Sequence, residues 1–302
     1  ATLVFLCVPA SSMGQAPEEE TEPRPIGLQD ILDWKRIVGP TLSNDGDWFA
    51  YRLSPTEGNS ELVARSTESE TEHRFPIGER GGAVSFSHDS RWLAFTISPS
   101  AEESDRPRDQ GSPPRNKVGI LELATGELTE MDEVQSFAFA GERGGWIALR
   151  KYRPGGGGGG GAGRPGGSSN GEGDDEARGG DLILYDLTDG TKLNIGNVSE
   201  FAFDDSGRWL AWIVDAEGKS GNGIQLRDQE SGVIQVLESD EARYSDLAWA
   251  EDQGALVALK AVEDEAYEDP LHSIVAWTGI GTGEGPAPVM YDPAQDPSFP
   301  EA

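Results

Sequence analysis

Hydrophobic and polar positions recur in a fixed order along this chain. In "VSFSHDSRWLAF", residues 84–95, apolar residues precede a polar turn, which is followed by Trp, a bulky residue, Ala and an aromatic residue. The same order occurs in residues 40–51 and 201–212, and two looser copies with one extra residue begin at Phe137 and Leu247. The residues at equivalent positions are Trp48 and Ala50, Trp92 and Ala94, and Trp209 and Ala211. Self-similarity at this spacing indicates a repeat architecture.

Each copy predicts two strands joined by a turn. In residues 84–95 the segments "VSF" and "RWLAF" contain the branched and aromatic residues that strands favour, and "SHDS" between them is typical of a turn. Alternation along the second strand places Trp92 and Ala94 on one face and Leu93 and Phe95 on the other. Because both faces are apolar, we expect this strand to be covered on both sides.

A second hairpin follows each copy. Residues 118–131, 181–195 and 223–237 each contain two short strand-like runs, and residues 61–75 are a weaker version. A glycine, which adopts positive φ at little cost, occupies the turn of the first three. These glycines are Gly126, Gly190 and Gly232. Each repeat therefore predicts four short antiparallel strands.

Four-stranded units at intervals of 44 to 64 residues predict an all-β chain, a β-propeller of four-stranded antiparallel blades. Five blades are expected, and the last unit is incomplete, so the propeller is expected to be incomplete at the C-terminus. The predicted blades are residues 40–78, 83–131, 136–195, 200–238 and 244–280 of the domain 40–302. The alternative is an unrelated β-sandwich with coincidental patterning.

Two long excursions interrupt the blades. Residues 155–180 are a Gly-rich, low-complexity insertion between two strands of blade three, predicted at residues 146–152 and 181–187. Residues 98–117 form a shorter excursion in blade two. We expect both excursions to be disordered, which the fold tolerates because the entropy of loop closure grows slowly with length.

The N-terminal residues predict a targeting segment. Residues 2–10 are apolar but too few for a membrane span, and small residues at positions 14–16 are suited to cleavage, so residues 1–16 are interpreted as a signal peptide remnant. The single cysteine, Cys7, lies within it. We therefore expect a periplasmic or secreted protein without disulfides.

Residues 17–39 are interpreted as a lead-in with a short helix. Its apolar positions lie on one helical face and are expected to pack against the propeller or a second domain. They are Leu28, Ile31, Leu32, Trp34 and Ile37.

The net charge excludes two classes of partner. With 54 acidic and 24 basic residues the chain carries a formal charge of -30, which repels nucleic acid and anionic lipid. No segment after the leader is long and apolar enough to span a membrane. We expect neither a nucleic-acid partner nor a membrane span.

Candidate chemistry is sparse. Residues 167–171 match G-x-S-x-G around Ser169, but that motif needs a strand before it and a helix after it, and the Gly-rich segment predicts neither. His73, His88 and His272 have no metal-ligand spacing and are expected at the surface. The acidic residues 262–270 could bind a cationic group, although a solvated loop is favoured. We assign no catalytic, cofactor-binding or metal-binding residue and expect no cofactor.

Three segments together carry a family resemblance. The lead-in "LQDILDWKRIVGPTLSNDGDWFAYRLSP", the repeated S-x-D-G/S-x-W-x-A-F/Y units and "YDPAQDPSFP", the expected path into a further blade, resemble the N-terminal region of secreted bacterial peptidases of the prolyl oligopeptidase family. TolB-type periplasmic propellers share the blade motif.

The resemblance implies a propeller that restricts a serine peptidase to short peptides. It also implies that the catalytic α/β-hydrolase domain, with Ser, Asp and His, is a partner missing from this chain. We therefore expect the 302-residue chain to be inactive and its full-length parent to be a serine peptidase. The alternative is a non-enzymatic, TolB-like propeller that serves as a protein-binding scaffold.

Overall fold

The structure is a computed structural model that describes residues 25–32, 34–105, 114–153, 179–251, 254–263, 270–283 and 285–293. The predicted signal peptide remnant at residues 1–16 lies outside these ranges, as do residues 155–178 of the Gly-rich insertion.

The described residues form five blades, each a set of four antiparallel strands paired in chain order. Blade one contains β1 Arg36–Leu42, β2 Trp48–Ser54, β3 Glu61–Ser66 and β4 Glu72–Pro76. Blade two contains β5 Val84–Phe86, β6 Trp92–Ile97, β7 Lys117–Glu122 and β8 Leu128–Met131. Blade three contains β9 Val134–Phe139, β10 Trp146–Lys151, β11 Gly180–Asp186 and the first part of β12 Lys192–Phe203. Blade four contains the rest of β12, β13 Trp209–Val214, β14 Gly223–Asp228 and β15 Ile234–Ser239. Blade five contains β16 Arg243–Ala250, β17 Ala255–Val262, β18 Leu271–Thr278 and β19 Ala287–Tyr291. The all-β propeller predicted from the sequence is confirmed, and its end blades do not close into a ring.

One continuous strand joins blades three and four. β12 pairs with β11 up to Val198 and with β13 from Val198 onward, and both pairings shift register there. Asn197 has a φ of 57°, which bends the chain at this point. The other blades are separate four-stranded sheets.

The turns that open the blades are held by a repeated side-chain motif. Ser43 Oγ donates to Asp45 Oδ1 at 2.6 Å and accepts from the Trp48 backbone N–H at 3.0 Å. Ser87 makes the equivalent bonds to Asp89 and Trp92 at 2.6 and 3.0 Å. The repeated S-x-D sequence therefore fixes the start of the second strand by local hydrogen bonds.

The core lies between successive blades. Leu93 and Phe95 are fully buried against blade one, whereas Ala94 on the opposite face is buried against blade three. In the same way, Leu210 is buried against blade three and Ala211 is buried against blade five. The two apolar faces predicted for the second strand are thus the two faces along which blades stack.

The repeat tryptophans are less buried than their apolar surroundings suggested. They lie between blades, but each is only partly buried because it is the first residue of its strand, beside the turn. These residues are Trp48, Trp92 and Trp209. The tryptophans that are almost completely covered are Trp212 and Trp277, in the middle of β13 and near the end of β18.

Blade five differs from the sequence interpretation in two respects. Leu256 pairs with Trp249 and is buried against blade four, so Ala255 takes the place that tryptophan has in the other blades. In addition, the predicted unit ended at residue 280, but β19 adds a fourth strand paired with β18. The sequence "APVMY" contains a proline, which weakened the strand pattern.

Two short helices accompany the blades. Helix α1 spans Leu28–Leu32 in the lead-in, whereas Trp34 and Ile37, which were expected on its apolar face, lie beyond it and Ile37 belongs to β1. Helix α2, Ala101–Ser104, lies in the excursion of blade two that was expected to be disordered. Ser100 and Glu103 form a capping box, and the Ala101 N–H donates to Asn59 Oδ1 at 2.9 Å, so this part of the excursion is anchored to blade one.

Candidate functional site

Two of the candidate chemical features from the sequence fall wholly or partly outside the described residues. Ser169 and its G-x-S-x-G pattern lie in 154–178, and most of the acidic run lies in 264–269. Glu263, at the start of that run, forms an ion pair with Lys219 of blade four. The described part of the run is therefore engaged in a surface contact.

The histidines do not cluster. His88 and His272 are exposed, as expected. His73 is different, because it is partly buried between blades one and two, where it stacks on Trp48 with ring centroids 5.5 Å apart. Its Nε2 donates to the Leu123 carbonyl at 3.3 Å. The expectation of a surface role was wrong for His73, which joins two blades.

The inner edge of the propeller is formed by the first strand of each blade. Successive first strands lie beside each other at β1 and β5, at β9 and β12, and at β12 and β16. In a propeller this edge faces the central axis. Side chains that reach it are therefore the candidates for contact with a molecule on the axis.

Two arginines occupy equivalent positions beside this edge. Arg52 and Arg150 each follow the first tryptophan of their second strand by four residues. Arg52 donates to the carbonyl of Arg80 at 3.4 Å, and Gly39 of β1 leaves room for its guanidinium. Each arginine thus extends from the second strand of its blade toward the chain segment that enters the following blade.

Arg150 has the more polar surroundings. Its Nε donates to Ser136 Oγ of β9 at 3.4 Å, and its Nη1 donates to the carbonyl of Ser199 in β12. Burial lowers the pKa of Arg150, and the negative charge of Glu200 acts in the opposite direction. Glu200 Oε2 itself accepts from the Leu247 N–H at 3.0 Å. The guanidinium is therefore positioned between the first strands of blades three and four.

An ion cluster centred on the buried Lys260 joins blades four and five. Lys260 Nζ lies 2.8 Å from both Glu238 and Asp240. Burial alone would lower the pKa of Lys260, but its hydrogen bonds to Asp240 and Glu238 raise it overall. Burial raises the pKa of the neighbouring Tyr244 to about 12. Because both carboxylates already hold the ammonium group, this cluster is a structural contact.

The end blades present uncovered apolar faces. On blade one, Phe49 and Tyr51 are only partly buried, although the equivalent Leu93 and Phe95 of blade two are completely covered. We call this surface the outer face of blade one; its apolar residues are Ile37, Leu42, Phe49, Tyr51 and Leu53. The outer face of blade five contains Val257, Leu259, Ile274, Val289 and Tyr291.

The lead-in is also exposed. Leu28 is 74% and Trp34 is 59% accessible, and Ile26 and Ile31 are exposed as well. The apolar residues of α1 that the structure describes are thus not covered by the propeller.

Sequence reasoning missed the inner-edge residues. Arg52 and Arg150 were not singled out, although their common distance from a repeat tryptophan was a usable signal. Glu200 and Ser199 carried no such signal, because their proximity to Arg150 results from the stacking of blade four on blade three.

Within the described residues, no group of three His, Cys, Asp or Glu side chains is arranged to hold a metal ion. Of the helices in these ranges, none has the length and apolar character needed to cross a membrane.

Comparison with known proteins yields structural matches alone. No protein-family description matches the sequence, and no curated protein does. A prolyl endopeptidase structure aligns with 86% of this chain and 36% of its own, at 13% identity and a TM-score of 0.47. The β-propeller domain of the Trilobed protease from Pyrococcus furiosus aligns with 85% of this chain and 71% of its own, at 9% identity and a TM-score of 0.45. TolB from Acinetobacter baumannii aligns with 80% of this chain and 51% of its own, at 15% identity and a TM-score of 0.36.

The similarity concerns the fold. This chain spans 36% of the length of the prolyl endopeptidase it matches, so the rest of that enzyme has no counterpart in the alignment. The protein is an open β-propeller, and its structural neighbours are propellers of prolyl oligopeptidase-type peptidases, TolB and other β-propellers.

Proposed function

We propose that this chain is the substrate-gating propeller of a secreted or periplasmic serine peptidase that acts on short peptides. The catalytic α/β-hydrolase domain of that peptidase is encoded outside the present sequence. The proposal follows from the resemblance of the lead-in and the blade repeats to the prolyl oligopeptidase family.

The observation that carries this proposal is the exposure of the lead-in. Leu28, Ile31 and Trp34 form an apolar surface next to blade one that the described residues leave uncovered. Contiguous exposed apolar residues mark a contact with another protein surface. A second domain of the same polypeptide would cover this surface, and its active site would then be reached past the propeller.

The experiment uses a protein extended by the residues that follow Ala302 in its gene. We expect the extended protein to be labelled by a fluorophosphonate and to cleave proline-containing chromogenic peptides, since its nucleophile would be an activated serine. The 302-residue chain should show neither property. A Ser169→Ala variant serves as the control and should leave both results unchanged.

Two outcomes would contradict the proposal. Turnover by the 302-residue chain that disappears in Ser169→Ala would place the nucleophile in the Gly-rich insertion. An extended protein without label or turnover would support the TolB-like, non-enzymatic scaffold instead. Replacing Leu28 and Trp34 with serine should lower the activity of the extended protein and leave the stability of the shorter chain nearly unchanged, because both residues are exposed in it.

A further inference from the structure

Arg150 uses only part of its hydrogen-bonding capacity within the described residues. It donates one bond from Nε to Ser136 and one from Nη1 to the Ser199 carbonyl. Since a guanidinium carries about five N–H donors, most of them have no protein acceptor within the described ranges. Arg150 is only partly buried, and its remaining N–H groups can pair with an acceptor from outside the chain.

The charge of Arg150 is also incompletely compensated. Within the described residues, no carboxylate oxygen lies within 4.0 Å of its guanidinium, whereas Arg208 contacts Asp228 at 3.0 Å and Lys260 contacts two carboxylates. Glu200 acts on Arg150 from a greater distance and is held by the Leu247 N–H. Arg150 therefore has no directly contacting carboxylate among the described residues, in a chain whose net charge is -30.

One hydroxyl group contacts the guanidinium. Ser136 Oγ accepts from Arg150 Nε at 3.4 Å and keeps its own hydrogen available for a further acceptor. Ser199 contacts Arg150 through its backbone carbonyl.

We propose that Arg150, together with the hydroxyl of Ser136, binds a carboxylate group at the inner edge between blades three and four. A carboxylate matches the planar donor geometry of a guanidinium and also accepts from hydroxyls. The identification of the ligand as the C-terminal carboxylate of a peptide rests on the proposed function. The site itself rests on the contacts of Arg150 alone.

The test measures equilibrium binding to the 302-residue chain by calorimetry, with acetyl-Ala-Ala as the probe. Its C-terminal amide should bind at least about tenfold more weakly, because the amide cannot form charge-assisted hydrogen bonds. Acetyl-Asp-amide, whose carboxylate is on a side chain, distinguishes the two sources of the group. Weaker binding of acetyl-Asp-amide supports recognition of a C-terminus, and equal binding would overturn that assignment.

Three variants locate the site. Arg150→Gln should abolish the preference for the acid over the amide. Arg65→Gln makes the same change in net charge at an exposed position of β3 and should retain it. Glu200→Gln removes a competing negative charge, while its amide oxygen still accepts from Leu247, so it should tighten acid binding severalfold.

Several results would overturn the site. The first is that acetyl-Ala-Ala and its amide bind equally, and the second is that Arg150→Gln binds the acid as tightly as the parent does. The third is that the acid shows no binding at a concentration of about 10 mM. If Arg150→Gln does not fold, Glu200→Gln decides, because weaker or unchanged acid binding in that variant contradicts the proposal. These binding results are independent of the labelling and turnover of the extended protein, so the two proposals fail separately.

Discussion

At the scale of single residues, position along the second strand decides how deeply a side chain is buried. Trp92 begins β6 beside a turn and is partly buried, whereas Trp212 lies in the middle of β13 and has no exposed surface. Both contribute to contacts between blades. The same residue type in the same repeat therefore stabilises the protein to different extents.

Trp212→Ala should lower the free energy of unfolding by about 3–5 kcal/mol, since it leaves a large cavity in a closed interface. Trp92→Ala should cost less, because part of its indole is already in contact with solvent. Trp34→Ala is the matched control and should change stability by less than about 0.5 kcal/mol, as it is exposed. Denaturant unfolding of the three variants checks this order, and a larger loss for Trp92 than for Trp212 would contradict it.

Tyr244 gives the protein a pH-dependent stability. Burial raises the pKa of its phenol from 10.0 to about 12. The unfolded state therefore loses this proton first, so the contribution to stability is complete below about pH 10 and is lost as the pH rises toward 12. Lys260 acts in the same direction, because its pKa is also raised by folding.

Tyr244→Phe should flatten this alkaline dependence by about 3 kcal/mol. It also removes a buried hydroxyl without a hydrogen-bond partner, so stability near neutral pH should be equal or higher. Unfolding curves measured at several pH values between neutral and strongly alkaline conditions test both effects. A variant that loses stability with pH as steeply as the parent would show that another group titrates.

At the scale of elements, the boundary of the Gly-rich insertion depends on strand pairing. The sequence interpretation extended the insertion to residue 180, but Gly180 begins β11 and pairs with Val198. The Gly179 N–H donates to the Asp215 carbonyl at 3.3 Å, and a Cβ on Gly180 would lie 2.4 Å from the Lys151 carbonyl oxygen. The hydrogen bonds make these two glycines part of the blade. The lack of space for a Cβ explains why glycine occupies position 180.

Replacing residues 155–178 with a four-residue turn should leave stability equal or slightly higher, since a shorter loop closes at a lower entropic cost. A deletion that also removes Gly179 and Gly180 should lower the unfolding midpoint. Thermal unfolding of the two deletions provides the comparison. Loss of the fold in the shorter deletion would mean that the insertion packs on the blades. Limited proteolysis of the parent should cut first within residues 155–178.

At the scale of the whole molecule, charge and open ends oppose compactness. The net charge of -30 causes self-repulsion in the folded state, and the outer faces of blades one and five leave apolar surface exposed. The favourable free energy of blade stacking must therefore exceed the cost of the charge repulsion and of the exposed apolar surface.

Salt should therefore raise the thermal midpoint. Increasing ionic strength from about 0.01 M to 0.15 M shortens the screening length from about 30 Å to about 8 Å and weakens repulsion among the carboxylates. A neutral solute at the same osmolality is the control and should have a smaller effect. A midpoint that falls with salt would show that attractive ion pairs, such as those of Lys260, dominate the electrostatics.

Much of the fold followed from local sequence. The alternation in residues 84–95 determined which residues face each neighbouring blade, and the S-x-D turns determined where second strands begin. These features depend on a few consecutive residues, so periodicity and turn chemistry are sufficient to predict them. The number of blades followed from counting repeats.

Tertiary structure decided the features that depend on pairing between distant segments. Pairing with β18 made a strand of "APVMY", and pairing with β16 placed Ala255 at the position that tryptophan has in the other blades. Stacking of blade four on blade three brought Ser199 and Glu200 to Arg150. The sequence by itself determined the repeated hairpins, because their hydrogen bonds and alternation are local. Only the folded chain determined the inner edge, since its residues come from different blades and meet only when those blades stack.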